Sequence, residues 1–475
     1  FPFVKDIDGG CAAALGVRRV PEVVVLDAGH RLCYRGRIDD QYRLGGARAA
    51  PTRRDLAEAI DAVLAGKEVA VTETPVDGCP IPRTEAAPAT ERVTFADVAP
   101  ILQKHCVECH RPGTTAPFSL LTYDDAKPQA EGIAEVVADG RMPPWYASAD
   151  FGHFINRRVL SADEKRMLAV WARTGRKKGD ISKLPPPPPR PEDRWLIGKP
   201  DLILQAPEHD IPASGTIAYK YIVLPHLFLS DTWMHGIQIL PDNPRVVHHC
   251  NMAYVLPLDR AKGAHFVTGT VPGGAAMTLD RGVAFRIPRG AALGLQIHYV
   301  ATGKEEKCRI SVGFKYASGM VQQELRHQLL VDHKFAIPPG APAHPVTASH
   351  VLDRDAIGLG MFVHMHLRGR DMTFRAVRPD GKTETLLIVP NYSFDWQIPY
   401  RWEPGKMRLP KGTRLECLAH YDNSAFNPYN PDPKATVKDG LQTNDEMFNG
   451  FVFYTDANER LDLDIDPHTG TPRRK

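Results

Sequence analysis

A chain of 475 residues is too long for one hydrophobic core, so two to four domains are expected. Hydrophobic residues make up 43% and charged residues 24%, the balance of an ordinary globular protein. A net charge of +3, from 59 basic and 56 acidic residues, argues against a polyanionic partner such as nucleic acid. No apolar run is long enough to span a membrane. The chain opens on Phe1-Pro2-Phe3-Val4, with neither a Met start nor a signal-peptide pattern, and reads as processed or cut.

Residues 1–82 begin with a short β-branched run, Val20 to Asp27, which a Gly-bearing turn joins to a second strand, Leu32 to Asp39. Thr52 and Asp55 read as an N-cap pair opening a helix with Leu56, Ile60 and Leu64 on one face and Gly66 as its stop. Two strands and a helix make half of an α/β domain. Residues 92–182 read as helical. Thr94 and Asp97 suit the cap of a helix that carries Val98, Ile101 and Leu102 into Cys106. Ser161 and Glu164 form a capping box for another helix, with Met167, Leu168 and Trp171 inward and Gly175 at its end. Between them lies a loop-rich stretch containing Arg141-Met142-Pro143-Pro144-Trp145. Residues 183–194, with Pro185 to Pro189 at their centre, form a stiff proline-rich linker. About 280 residues of short strands punctuated by Gly, Pro, Asn and Asp follow, and suggest two β-sandwich domains. We place these at 195–335 and 336–475.

Eight cysteines occur, at Cys11, Cys33, Cys79, Cys106, Cys109, Cys250, Cys308 and Cys417. All but one pair are widely scattered, which excludes a small disulfide scaffold. That pair belongs to Cys106-Val107-Glu108-Cys109-His110. Its spacing lets two thiols bond the vinyl groups of a haem while the adjacent histidine binds iron. A bare CxxC also suits a redox pair or half a zinc site; the following His and the helix leading in favour haem. The region resembles a class I cytochrome c. The resemblance implies a covalent haem c, a location outside the cytoplasm (periplasmic or secreted), and a second axial ligand from the loop before the last helix. Met142 fits that ligand, with His153 as the alternative.

The β region carries Val246-Val247-His248-His249-Cys250, then Gln296-Ile297-His298-Tyr299, then His364-Met365-His366, and finally Asp445-Glu446-Met447. His364 and His366 are two apart and face the same side of a strand, so both reach one metal. His248 and His249 are adjacent and point to opposite faces of a regular strand; they share a metal only at an irregular position or through different ring nitrogens. Imidazole joined by a thioether suits copper better than zinc. Either pair alone reads equally as satisfied polar residues or a structural zinc site.

In this order the four elements resemble the copper type II, ascorbate-dependent monooxygenases, the family of peptidylglycine α-hydroxylating and dopamine β-monooxygenases. The resemblance covers roughly residues 195 to 460. It implies two all-β jelly-roll sandwich domains with one copper each. His248, His249 and His298 would hold an electron-transfer copper, and His364, His366 and Met447 the copper that binds dioxygen. A haem on the same chain would refill the coppers from an external electron donor. The expected substrate is a small neutral or apolar molecule, because Phe362 stands where the peptide-hydroxylating members have a carboxylate-gripping Arg; Arg368 is a cation that would compensate. Phe448 replaces a disulfide-forming Cys, leaving Cys417 without its family partner, and a Cys250–Cys308 bridge stays open.

Leu15 to Pro21 with the following hairpin resembles the second half of a thioredoxin-like redoxin domain. That resemblance implies a cis Pro21 and a reactive cysteine ahead of this chain, with Cys11 and Cys33 structural. The fold class expected is thus a partial α/β fragment, an α-helical cytochrome c domain and two β-sandwiches. The function expected is that of an extracytoplasmic dicopper monooxygenase. A haem and copper electron-transfer protein, or a redox or gas sensor, is the alternative on the same scaffold.

Overall fold

A computed structural model of the chain describes residues 10–473 apart from 44–45, 48–50, 77–78, 82–91, 115, 190–193, 216, 257–262, 272–273 and 275. The protein is largely β, with many antiparallel sheets and a small helical region. No described helix is long and apolar enough to cross a membrane.

In the N-terminal part, strand Val23–Leu26 pairs antiparallel with Leu32–Gly36. Asp27 fixes the turn between them: its carboxylate accepts the N–H groups of Gly29 and Arg31, each at 2.9 Å, while His30 takes a φ of +60°. The Val20–Pro21 peptide is cis. Helix Asp55–Leu64 follows, but with Arg54 rather than Thr52 as its N-cap. Thr52 is drawn away because its N–H and hydroxyl both donate to Asp40. The apolar face expected of this helix is not covered either, Leu64 being 81% exposed. The described sheet beside it has two strands, too little surface to cover three large side chains. Asp55 and Ala59 are buried instead, with Arg37 and Arg53 paired to Asp55.

The helical region begins with Phe95–His105, whose Thr94 cap donates both its N–H and its hydroxyl to Asp97 at 2.8 and 2.7 Å. Val98, Ile101 and Leu102 share a core with Leu168 and Trp171 of helix Ala162–Arg173. The stretch expected as loop also folds locally. A Thr122/Asp125 capping box starts helix Tyr123–Ala126, and Ala130–Ala138 follows, burying Ile133 and Val137 in the same core. Glu164 closes the Ser161 box and also meets His105 at 3.1 Å. The Ser161 backbone N–H, and then His105, hold its pKa down to about 2 against an ordinary 4.5. A depressed folded pKa adds stability that is full above the unfolded value and disappears as pH falls toward the folded one. Glu164→Gln is therefore expected to cost about 1 kcal/mol at neutral pH, and to flatten the acid loss between pH 4.5 and about 2. Helical circular dichroism during acid titration of both proteins checks this.

The proline-rich linker does not stand free. Gln103 donates to the Pro185 carbonyl and Arg111 to that of Pro188, at 3.1 and 2.9 Å, strapping it along the helical region.

Beyond the linker, two pairs of sheets each enclose one core. In the first unit, strands Leu202–Gln205, Ile310–Tyr316, Thr232–Pro241 and Val283–Ile287 share a core with Ala264–Thr270, Val247–Val255, Ala292–Tyr299 and Lys220–Leu227. In the second, Arg326–Val331, Asn449–Asp456 and Ala356–His364 share one with His344–Val351, Arg414–Tyr421, Gly369–Val377 and Thr383–Val389. The expected boundary at 335/336 moves, because Arg326–Val331 forms its ladder with Asn449–Asp456 of the second unit. The chain's end also returns to the first unit: Leu463–Ile465 pairs with Gly319–Val321, and Trp233 donates to the Gly470 carbonyl at 2.7 Å. Cys250, Cys308 and Cys417 are buried free thiols, so the Cys250–Cys308 bridge is not formed.

The helical region docks on the second unit. Trp145 and Phe154 pack on Tyr400 at 5.2 and 5.5 Å, and Phe154 stacks on Trp402. Asn156 donates to the Pro399 carbonyl and accepts from the Arg401 N–H.

Candidate metal centres

Adjacent histidines converge only if the strand carrying them is irregular, and this one is. The register between Val247–Val255 and Ala292–Tyr299 shifts between Val247 and His249, a bulge that turns His248 to the side of its neighbour. His249 lies directly opposite His298 in the ladder. The three rings stand 5.0 to 5.4 Å apart, centre to centre, and offer ligand atoms all within 4.8 Å of one another. Nδ1 of His248 and Nδ1 of His249 are 3.2 Å apart, and Nδ1 of His298 is buried without a hydrogen-bond partner. Nitrogens bound at ~2 Å to one ion stand about this far apart. Burial, then the neighbouring imidazoles, push His249 down to about 2 and His298 to about 4. These two rings are therefore neutral, the form that binds metal. This group fits a metal ion.

The second histidine pair departs from the expected strand geometry. His364 ends strand Ala356–His364, whereas His366 lies past the strand's end. The turn is set by Glu446, which is wholly buried and accepts the N–H groups of His366 and Arg368 at 2.8 and 2.6 Å. Burial pushes its pKa up to about 8 against the pull of those donors. The two rings still meet at 5.2 Å. Nδ1 of His364 donates to Gln397 at 2.7 Å and Nδ1 of His366 to the Asp445 carbonyl at 3.0 Å. This is the outer hydrogen bonding of metal-bound histidines, and it leaves both Nε2 atoms for a ligand. Met447 lies just ahead of strand Asn449–Asp456 rather than within it; Tyr421 fixes its carbonyl at 2.8 Å, and Asn449 approaches its sulfur at 3.7 Å. His249, His364, His366 and Met447 line one cavity of about 890 Å³ between the two β units.

Four residues that no motif marked complete the surroundings. Phe394 stacks on His248 at 5.0 Å and meets His366 edge-on at 5.9 Å, so one phenyl ring lies between the two groups. Its neighbour Asp395 reaches Nε2 of His248 at 3.4 Å, and Gln397 is the partner of His364. Tyr219 packs on His298 at 4.8 Å and pairs its hydroxyl with Thr443 of the second unit at 2.6 Å. They sit on loops or in a strand lead-in, where sequence carries no periodic signal. Arg368, the cation expected to compensate for Phe362, does not reach the cavity. It is 1% exposed and held by Asn423 and the Asn444 carbonyl.

In the helical region Cys106 and Cys109 are unbridged thiols. Nδ1 of His110 donates to the Phe118 carbonyl at 3.3 Å, leaving Nε2 available as a ligand atom. Burial pushes the Cys106 thiol up to about 12, unlike the low-pKa thiolate of a dithiol redox pair. Met142 is half-buried and His153 exposed. A second cleft, of about 510 Å³, is lined by Glu108, Cys109 and Arg111 on one side and by Val247 and His248 on the other.

No family model matches the chain, and no curated protein matches it. Among solved structures, that of the Gt strain of infectious bursal disease virus is similar at 10% identity, covering 53% of this chain and 71% of that one, with a TM-score of 0.17. A mutant VP2 protein of the same virus, in derived T=1 particles, matches at 9% identity over 57% and 71%, also with a TM-score of 0.17. Overlap that slight carries no argument about fold or function.

Proposed function

We propose that the chain is an extracytoplasmic copper monooxygenase of the type II, ascorbate-dependent kind, with a cytochrome c domain and part of a thioredoxin-like domain attached to two jelly rolls. The observation that carries this reading is that His249, a member of the converged His248/His249/His298 group, lines one cavity together with His364, His366 and Met447, with ligand atoms left free on both groups. Copper held by these side chains would supply one-electron storage and oxygen activation. Cys106, Cys109, His110 and Met142 would hold haem c, which would supply one-electron carriage. The overall reaction takes R–H, O2, two electrons and two protons to R–OH and water. An external one-electron donor provides the electrons.

The chain's own residues divide the work. Burial keeps His249 and His298 neutral, and Asp395 orients His248. Gln397 and the Asp445 carbonyl fix the tautomers of His364 and His366, and Glu446 holds the turn between them. The cleft shared by Cys109 and His248 sets the helical region beside the first histidine group. The test is oxygen consumption on adding reductant to protein with measured iron and copper content. One iron and two coppers per chain are expected, and Met447→Ala or His364→Ala is expected to lower consumption by more than about a hundredfold. Zinc in place of copper, or consumption that survives both substitutions, overturns the proposal. Copper without consumption leaves an electron-transfer protein.

A further inference from the structure

The cavity that receives the second histidine group continues well beyond it, and its floor follows from strand register. On strands Ala356–His364 and Asn449–Asp456, His364 pairs with Asn449, Phe362 with Phe451 and Gly360 with Phe453. Strand Arg326–Val331 adds Leu329 beside Phe451 and His327 beside Phe453. Alternate residues share a face, so these rows form one surface. It leads from the proposed metal ligands to His327 across an aromatic shelf. Phe451 touches Phe362 at 6.0 Å, lies parallel to Phe453 at 6.0 Å, and meets Phe266 of the first unit at 5.3 Å. Four residues at ~3.3 Å each put the far row about 13 Å from His364.

Charge is sparse among the described residues that line this space. Among the described lining residues, Asp280 and Arg401 are the acidic and basic side chains, and they lie 3.7 Å from each other. At the far end His265, stacked on Tyr254, stands near His327. Burial, then His265, lowers the pKa of His327, keeping it neutral at physiological pH. Neither ring nitrogen of His327 is hydrogen-bonded to a described residue, so this neutral imidazole, with His265 beside it, offers a donor and an acceptor to whatever reaches it.

We infer that the cavity binds an uncharged, elongated, mainly apolar molecule of about ten carbon lengths along the Phe362/Phe451/Phe453 shelf, with a neutral polar end at His265 and His327. This rests on the monooxygenase reading only for what happens to the ligand; binding itself needs neither metal nor oxygen. The geometry sets the reacting carbon at the end opposite the polar group.

The experiment uses the full chain treated with a chelator and follows fluorescence of phenylnaphthylamine, an uncharged probe, and of anilinonaphthalenesulfonate, its anionic counterpart. The neutral probe is expected to saturate one site and bind at least tenfold more tightly than the anion. Phe362→Arg is expected to reverse that order, and Phe451→Ser to weaken the neutral probe tenfold; the haem spectrum and far-ultraviolet dichroism establish that each variant is folded. Decanol should displace the probe better than decane, and His327→Leu should remove the difference. Equal binding of both probes, or no change in either Phe variant, overturns the apolar site. Equal displacement by alcohol and alkane overturns the polar end. Probe binding with no oxygen consumption keeps this inference and removes the monooxygenase reading; consumption with no preference for the neutral probe does the reverse.

Discussion

His249→Ala is expected to leave a folded chain that retains one copper instead of two and no longer consumes oxygen with reductant. His249 is the most enclosed of its group, 5% exposed, and lies directly opposite His298 in the ladder. Losing merely an outer hydrogen bond to a metal ligand costs ten- to a hundredfold in affinity, so losing the ligand should exceed ~100-fold. The fold should survive, because the bulge is held by backbone pairing on both sides of it. Copper by elemental analysis and the paramagnetic signal of the remaining site check the stoichiometry. Two coppers bound with wild-type affinity would show that the three imidazoles are not a binding site.

The second large effect is all-or-none. Replacing both Cys106 and Cys109 with Ala is expected to abolish haem that stays with the polypeptide through denaturing electrophoresis, read by its peroxidase stain. His110→Ala keeps both thioether positions, so stainable haem should persist with an altered absorption spectrum. The helical core lies mainly on Val98, Leu102, Leu168 and Trp171, with Cys106 packed at its edge, so far-ultraviolet dichroism is read alongside to establish that the double variant is folded. Unchanged haem in the double variant would refute the attachment site. In that outcome the CxxC is tested next for zinc.

The regular parts of this fold were legible because they depend on local rules. Thr94/Asp97 and Ser161/Glu164 mark their helices through side chains three residues apart, and the structure has both boxes. The β character beyond the linker was equally plain from strand-length runs and turn residues. Thr52 was misread since its competing partner, Asp40, is distant along the chain. The unit boundary was misplaced for the same reason: strand membership depends on pairing with Asn449–Asp456, and nothing in Arg326–Val331 itself announces that partner.

At the site, the histidines were visible and their convergence was not. Alternation predicts His248 and His249 on opposite faces, and only the shifted register reconciles them. Phe394, Asp395 and Gln397 carried no signal, being common side chains on a loop. Arg368 misled because a buried cation with Asn423 and a carbonyl as partners looks, in sequence, like one free to meet a ligand.

The run Tyr392–Gln397 has a mechanical meaning. Tyr392 grips Met365 through both backbone groups, Ser393 meets Tyr146 of the helical region, Phe394 and Asp395 meet His248, and Gln397 holds His364. Six consecutive residues thus join three bodies, as the hub of a linkage joins its arms. Prising the helical region off its dock at Trp145 and Phe154 would disturb both histidine groups together, with every ligand intact. Paired spectral changes at both histidine groups after one interface substitution remote from their ligands would be the mark of that linkage.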